Sequence, residues 1–100
     1  MQQRMRELIR QGLSRQNLLE LISICENLTL RKPAIYGSLI GIFRQLDQEY
    51  DPHDAIDTAR YLSVNSLLRQ PLLDLLDAEN QSAGAILFCL DRVMDAFGKL

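Results

Sequence analysis

Four side chains near the middle of the chain are of types that bind metal ions: Asp51, His53, Asp54 and Asp57. His53 and Asp57 are four residues apart, so on a helix they would share one face. A closed metal site needs about four ligands in a fixed geometry. Acidic residues at the start of a helix are also explained by N-capping and by the helix dipole. We therefore expect no bound metal and no other cofactor.

Nucleophilic catalysis is the second kind of chemistry that the residues suggest. His53 is the only histidine, so any Ser-His-Asp or Cys-His arrangement would have to use it. Cys25 and Cys89 lie among apolar residues, with no basic neighbour to activate the thiol. The phosphate-binding pattern Gly-x-x-x-x-Gly-Lys-Ser/Thr is absent. We therefore expect a protein that is not an enzyme and has no small-molecule substrate.

Residues 58–65 resemble the middle of a helix-turn-helix motif, with a small residue at Ala59 and a tight-turn residue at Ser63. A recognition helix after that turn would present four polar side chains to DNA base edges: Asn65, Ser66, Arg69 and Gln70. However, Pro71 would fall inside the recognition helix, and nearby aspartates would repel phosphates. A DNA-binding regulator using residues 58–70 is therefore the alternative function.

Two glycines, Gly37 and Gly41, lie four residues apart on a segment that reads as a helix. At about 100° per residue they fall opposite its apolar stripe, on the same side as Arg44. Each glycine costs roughly 1 kcal/mol of helix propensity relative to alanine, so another helix is expected to pack closely there. That helix could belong to the same chain or to another subunit.

An aromatic residue gives a second contact candidate on the last predicted helix. Phe88 projects away from the stripe that the spacing assigns to the core: Ile86, Cys89, Leu90, Val93 and Phe97. It shares its face with Asp91 and Asp95. The candidate protein-interface residues are therefore Gly37, Gly41, Arg44 and Phe88.

Helical periodicity covers almost the whole chain and positions these side chains. It predicts helices over 2–12, 15–27, 33–48, 52–62, 66–78 and 83–97. Gly12 and Gly98 are expected to end helices, Ser14, Asp51 and Ser82 to cap them, and residues 63–65 to form a short joint. Pro71 must begin, kink or interrupt the fifth segment.

An eight-residue stretch occurs twice, as Arg15–Ile22 and again as Arg69–Leu76. The two copies share five identical residues, and each belongs to a helical segment. They predict an all-α fold, a compact bundle of five to six short helices in one domain over residues 1–100. Two pseudo-repeated helical hairpins, 14–48 and 66–97, are one arrangement of it.

Composition narrows the function further. The formal net charge is −2, which gives no global electrostatic case for nucleic acid. The longest apolar run, residues 39–43, is far too short to span a membrane, and the cysteines read as buried thiols of a reducing compartment. We expect a cytoplasmic, non-catalytic module that acts as an adaptor or regulator, binds another protein through its helix faces and forms a homodimer.

Overall fold

The computed structural model describes residues 2–49 and 56–100, with the side chains of 2–49 and 61–100, and every regular element in this part is a helix. The five helices are α1 Gln2–Gln11, α2 Arg15–Leu28, α3 Pro33–Glu49, α4 Ile56–Ala78 and α5 Ala83–Gly98. The predicted all-α bundle is confirmed. The predicted cap at Asp51 lies outside the described residues.

The helices form a closed ring in the order α1, α2, α3, α5, α4 and back to α1, as judged from the described residues. The most extensive contacts join α2 to α3 and α4 to α5, and the contact between α3 and α5 is the least extensive. Each of the two close pairs is joined by four residues, 29–32 and 79–82. Such short connections make helical hairpins, in agreement with the predicted paired arrangement.

Local signals end the first helix and begin the second where the sequence predicts. Gly12 follows α1 with a φ of 129°, a backbone conformation that favours glycine. A Cβ atom at this position would overlap the Tyr61 hydroxyl. Ser14 then caps α2, because its Oγ accepts a hydrogen bond of 3.2 Å from the Asn17 backbone N–H.

The predicted joint at residues 63–65 is wrong, because α4 runs without interruption from Ile56 to Ala78. Val64, Leu68, Leu72 and Leu75 are buried at helical spacing across this region, so one face of a continuous helix lies in the core. Pro71 sits inside α4. An interior proline costs about 3 kcal/mol, which the burial of these side chains, about 1.5–3 kcal/mol each, can offset.

A buried asparagine fixes α4 against the loop that precedes α2. Asn65 is 8% exposed. Its Oδ1 accepts a hydrogen bond of 2.6 Å from the Leu13 N–H, and its Nδ2 donates one of 2.7 Å to the Tyr61 carbonyl. Because an unpaired N–H in the core costs about 1–3 kcal/mol, Asn65 has a structural role here.

The basic N-terminal region is paired within the chain. Arg4 contacts Glu20 on α2 at 2.5 Å, and Arg6 contacts Asp77 on α4 at 2.8 Å. The side-chain hydrogen bond from Arg4 holds the pKa of Glu20 below its ordinary value. These pairs connect α1 to both of its neighbours in the ring.

Candidate protein-interaction site

The last helix is the most apolar of the five but has few fully buried residues. In α5 only Val93 and Ala96 are buried, whereas α3 buries six side chains. The core stripe that the sequence predicts for α5 is therefore only partly correct. Ile86, Cys89, Leu90 and Phe97 are half-buried, so α5 rests on the core without being enclosed by it.

Five apolar residues run along one side of α5 with alternating spacings of four and three: Ala83, Leu87, Leu90, Met94 and Phe97. We call them the α5 strip. Leu87 is 59% exposed and Met94 46% exposed, while Leu90 and Phe97 are half-buried. A spacing of four and three is the pattern by which one helix packs against another over its length. No described residue of this chain covers the outer part of the strip.

The α5 strip lies on the side of α5 away from α4. On the α4 side, Arg92 reaches Asp74 at 3.7 Å, and Lys99 lines a cleft of about 250 Å³ with Leu67 of α4. Met94 is two residues from Arg92, which is about 200° around the helix. The strip therefore lies on the opposite side of α5 from Arg92 and its contact with α4.

The predicted glycine face of α3 is not packed inside the chain. Gly37 and Gly41 are exposed, and a Cβ atom at either position would meet no described atom within 4 Å. Of the two explanations that the sequence allows, packing within the chain is therefore wrong for the described residues. Arg44 is exposed beside this face and donates a hydrogen bond of 2.6 Å to Glu26.

Phe88, the predicted contact residue of α5, is 64% exposed. It follows Leu87 by one position, which is about 100° around the helix. It therefore lies outside the α5 strip, near Asp95 and Arg92 on the outer surface. The sequence predicts this exposed aromatic correctly but misses Leu87 and Met94. The sequence feature that could have revealed these two residues is that apolar residues cover more than half of the α5 circumference.

The predicted DNA-contact residues do not form a recognition helix. The turn required at Ser63 is absent, because α4 is continuous there. Asn65 is buried and bonded to Leu13, so it is not available to base edges. Ser66, Arg69 and Gln70 are exposed, and Gln70 donates a hydrogen bond of 2.8 Å to Asp74. The helix-turn-helix interpretation therefore lacks its defining geometry.

Groups that could carry chemistry are dispersed among the described residues. No three His, Cys, Asp or Glu residues in this part of the chain are grouped to hold a metal ion. The predicted ligands Asp51, His53 and Asp54 lie outside the described residues, as does the side chain of Asp57. Burial raises the pKa of the Cys25 thiol to about 12, so this thiol stays protonated and unreactive at neutral pH.

A polar cleft of about 350 Å³ lies where the ends of α2 and α4 meet the start of α1. The Gln2 amide donates a hydrogen bond of 2.9 Å to the Leu76 carbonyl and another to the Glu79 carboxylate. The Lys32 ammonium donates to the Glu79 carbonyl. Burial, with the nearby Glu79 carboxylate, raises the pKa of Tyr36 in the cleft wall. These polar contacts hold three chain segments together.

Comparison of the chain with protein-family models, with curated proteins and with solved structures finds no match. None of the described helices has the length and apolar character needed to cross a membrane. Among the described residues, the uncovered apolar strip of α5 and the open glycine face of α3 are the surfaces with a feature that binding would explain.

Proposed function

We propose that this protein is a non-catalytic interaction module that binds another protein chain through the outer faces of α3 and α5. Its adaptor or regulatory role, its homodimeric form and a cytoplasmic site of action are part of the same proposal. The observation that carries the proposal is the uncovered α5 strip on the most apolar helix of the chain.

Leu87 and Met94 leave apolar surface that a partner could bury. Each leaves about half of its surface in water, whereas full burial of such a side chain is worth about 1.5–3 kcal/mol. A single exposed leucine needs no explanation. Leu87 and Met94, in line with the half-buried Leu90 and Phe97, form a continuous apolar ridge, which is the surface that a partner helix requires.

The glycine face of α3 supports the same proposal. Gly37 and Gly41 each cost about 1 kcal/mol in helix propensity relative to alanine, and no described contact within the chain offsets this cost. A surface without Cβ atoms allows a partner backbone to approach closely. The α3 face is therefore a second uncovered surface, on a helix that contacts α5.

A matched pair of leucines tests this proposal. Leu87 on α5 and Leu62 on α4 are 59% and 62% exposed, so Leu87→Gln and Leu62→Gln remove similar amounts of exposed apolar surface. We expect Leu87→Gln, alone or with Met94→Gln, to weaken association at least about tenfold. We expect Leu62→Gln to leave it unchanged. Sedimentation measures self-association, and affinity purification with cross-linking mass spectrometry measures binding of other proteins.

A second variant, Gly41→Leu, tests the α3 face. Because the position is open, the variant is expected to fold normally, as shown by circular dichroism, and to lose association by blocking close approach. If every variant associated as strongly as the wild-type protein does, the proposal would be rejected. Retention of the purified protein on duplex DNA at low salt, lost at high salt, would instead show DNA binding, by a surface other than the helix-turn-helix that the continuous α4 excludes.

A further inference from the structure

We infer that the α5 strip pairs with the same strip of a second copy of this chain, with the two α5 helices antiparallel. This inference rests on the proposed function and names the partner of that site. It follows from the order of exposed and recessed side chains along the strip and from the spacing of those side chains.

The spacing allows every large residue of the strip to find a partner at once. Leu87, Leu90, Met94 and Phe97 are separated by three, four and three residues, an order that is the same in reverse. In one antiparallel alignment, Leu87 lies opposite Phe97 of the second copy and Leu90 opposite Met94. Each such pair forms one layer of the interface. The other two layers are the same two pairs with the copies exchanged, as a twofold interface requires.

The exposure of these side chains selects the antiparallel arrangement. Leu87 and Met94 protrude, being 59% and 46% exposed, while Leu90 and Phe97 are half-buried. Antiparallel pairing places a protruding residue against a recessed one in all four layers. Parallel pairing would place protruding residues against each other and recessed residues against each other, which leaves gaps that close packing does not tolerate.

Asp91 limits the strength of this pairing. It is exposed at the edge of the strip, near the centre of the antiparallel alignment, so the two copies bring two like charges together. The interface also rests mainly on one helix, which places it below about 1,200 Å² in total, in the range of transient complexes. The expected product is a reversible dimer.

Disulfide cross-linking between single-cysteine variants tests the alignment. In a Cys89→Ala background, Cys25 remains buried. A mixture of Leu90→Cys and Met94→Cys chains, one carrying a mass tag, is expected to form the mixed disulfide. A mixture of Leu87→Cys and Phe97→Cys chains is expected to do the same. Each variant alone should cross-link more slowly by about tenfold, because identical positions are offset by about 6 Å or more along the axis.

The variant Asp91→Asn gives an independent test, and it is expected to leave the fold intact because Asp91 is exposed. Removing the like charges is expected to strengthen dimerisation about twofold in sedimentation equilibrium. A partner helix with basic residues would instead be bound more weakly by this variant. Weaker self-association of Asp91→Asn would contradict the inference.

The outcomes separate this inference from the proposed function. Rapid cross-linking of each variant with itself would show a parallel pair and overturn the antiparallel alignment. A protein that stays monomeric at about millimolar concentration, while Leu87→Gln still removes binding to another protein, would reject the second copy and the homodimeric form. The binding of another protein through α5 would then stand alone. If neither form of association depends on Leu87, both fail.

Discussion

At the scale of single residues, glycine has opposite meanings at two places in this chain. Gly12 is required, because its φ of 129° and the adjacent Tyr61 hydroxyl exclude a side chain. Gly41 is helical and open, so nothing described within the chain requires it. Gly12 therefore serves the fold, whereas the helix-propensity cost of Gly41 is offset by no contact among the described residues.

This contrast predicts opposite effects for the same substitution. Gly12→Ala is expected to lower the free energy of unfolding by about 2 kcal/mol or more, through backbone strain and overlap with Tyr61. Gly41→Ala is expected to raise it by about 1 kcal/mol, because alanine is the better helix former. Urea denaturation of the monomer measures both. A destabilised Gly41→Ala would mean that the α3 surface is covered within the chain.

At the scale of elements, the repeated octet occupies two different places in its hairpins. Arg15–Ile22 ends six residues before the end of α2, and Arg69–Leu76 ends two residues before the end of α4. Four residues are about one turn, or roughly 6 Å along the axis. Equivalent residues of the two copies are buried, for example Leu18 and Leu72. The second copy nevertheless lies about one turn closer to the end of its helix than the first.

The proline in the second copy gives the prediction for elements. Pro71 supplies no N–H to the Leu67 carbonyl one turn earlier, yet α4 continues through it. Pro71→Ala is expected to restore that hydrogen bond and raise the free energy of unfolding by about 1–3 kcal/mol. Thermal and urea denaturation measure the change. A loss of stability would show that packing of the proline ring against its neighbours outweighs the missing bond.

At the scale of the whole molecule, the ring is closed on four sides by extensive or charge-assisted contacts and is least tightly joined between α3 and α5. The uncovered glycines and the α5 strip belong to these same two helices. A partner on this side would cover the least enclosed part of the core.

The burial of two ionisable side chains in the core also makes the stability of the fold depend on pH. Burial raises the pKa of Cys25 from its ordinary value of 9.0 to about 12, and it raises that of Tyr36 as well. Between pH 9 and 12 the unfolded chain therefore binds fewer protons than the folded one, so stability falls as pH rises. We expect a loss of up to about 1.4 kcal/mol per pH unit from Cys25. Urea denaturation at each pH measures this loss, and Cys25→Ala should reduce the slope.

The sequence by itself determined the helical class, most helix ends and the caps at Ser14 and Ser82, because these depend on residues within one turn of each other. Gly12, Ser14 and Ser82 act as their local sequence predicts. Only the tertiary structure decided that α4 runs through residues 63–65 and Pro71, since burial of its leucines against distant helices outweighs the local break signals. Likewise, only the packing of α5 decided that Leu90 and Phe97 are half-buried while Leu87 and Met94 face outward. Apolar residues surround much of that helix, and the positions of the other helices select which of them are covered.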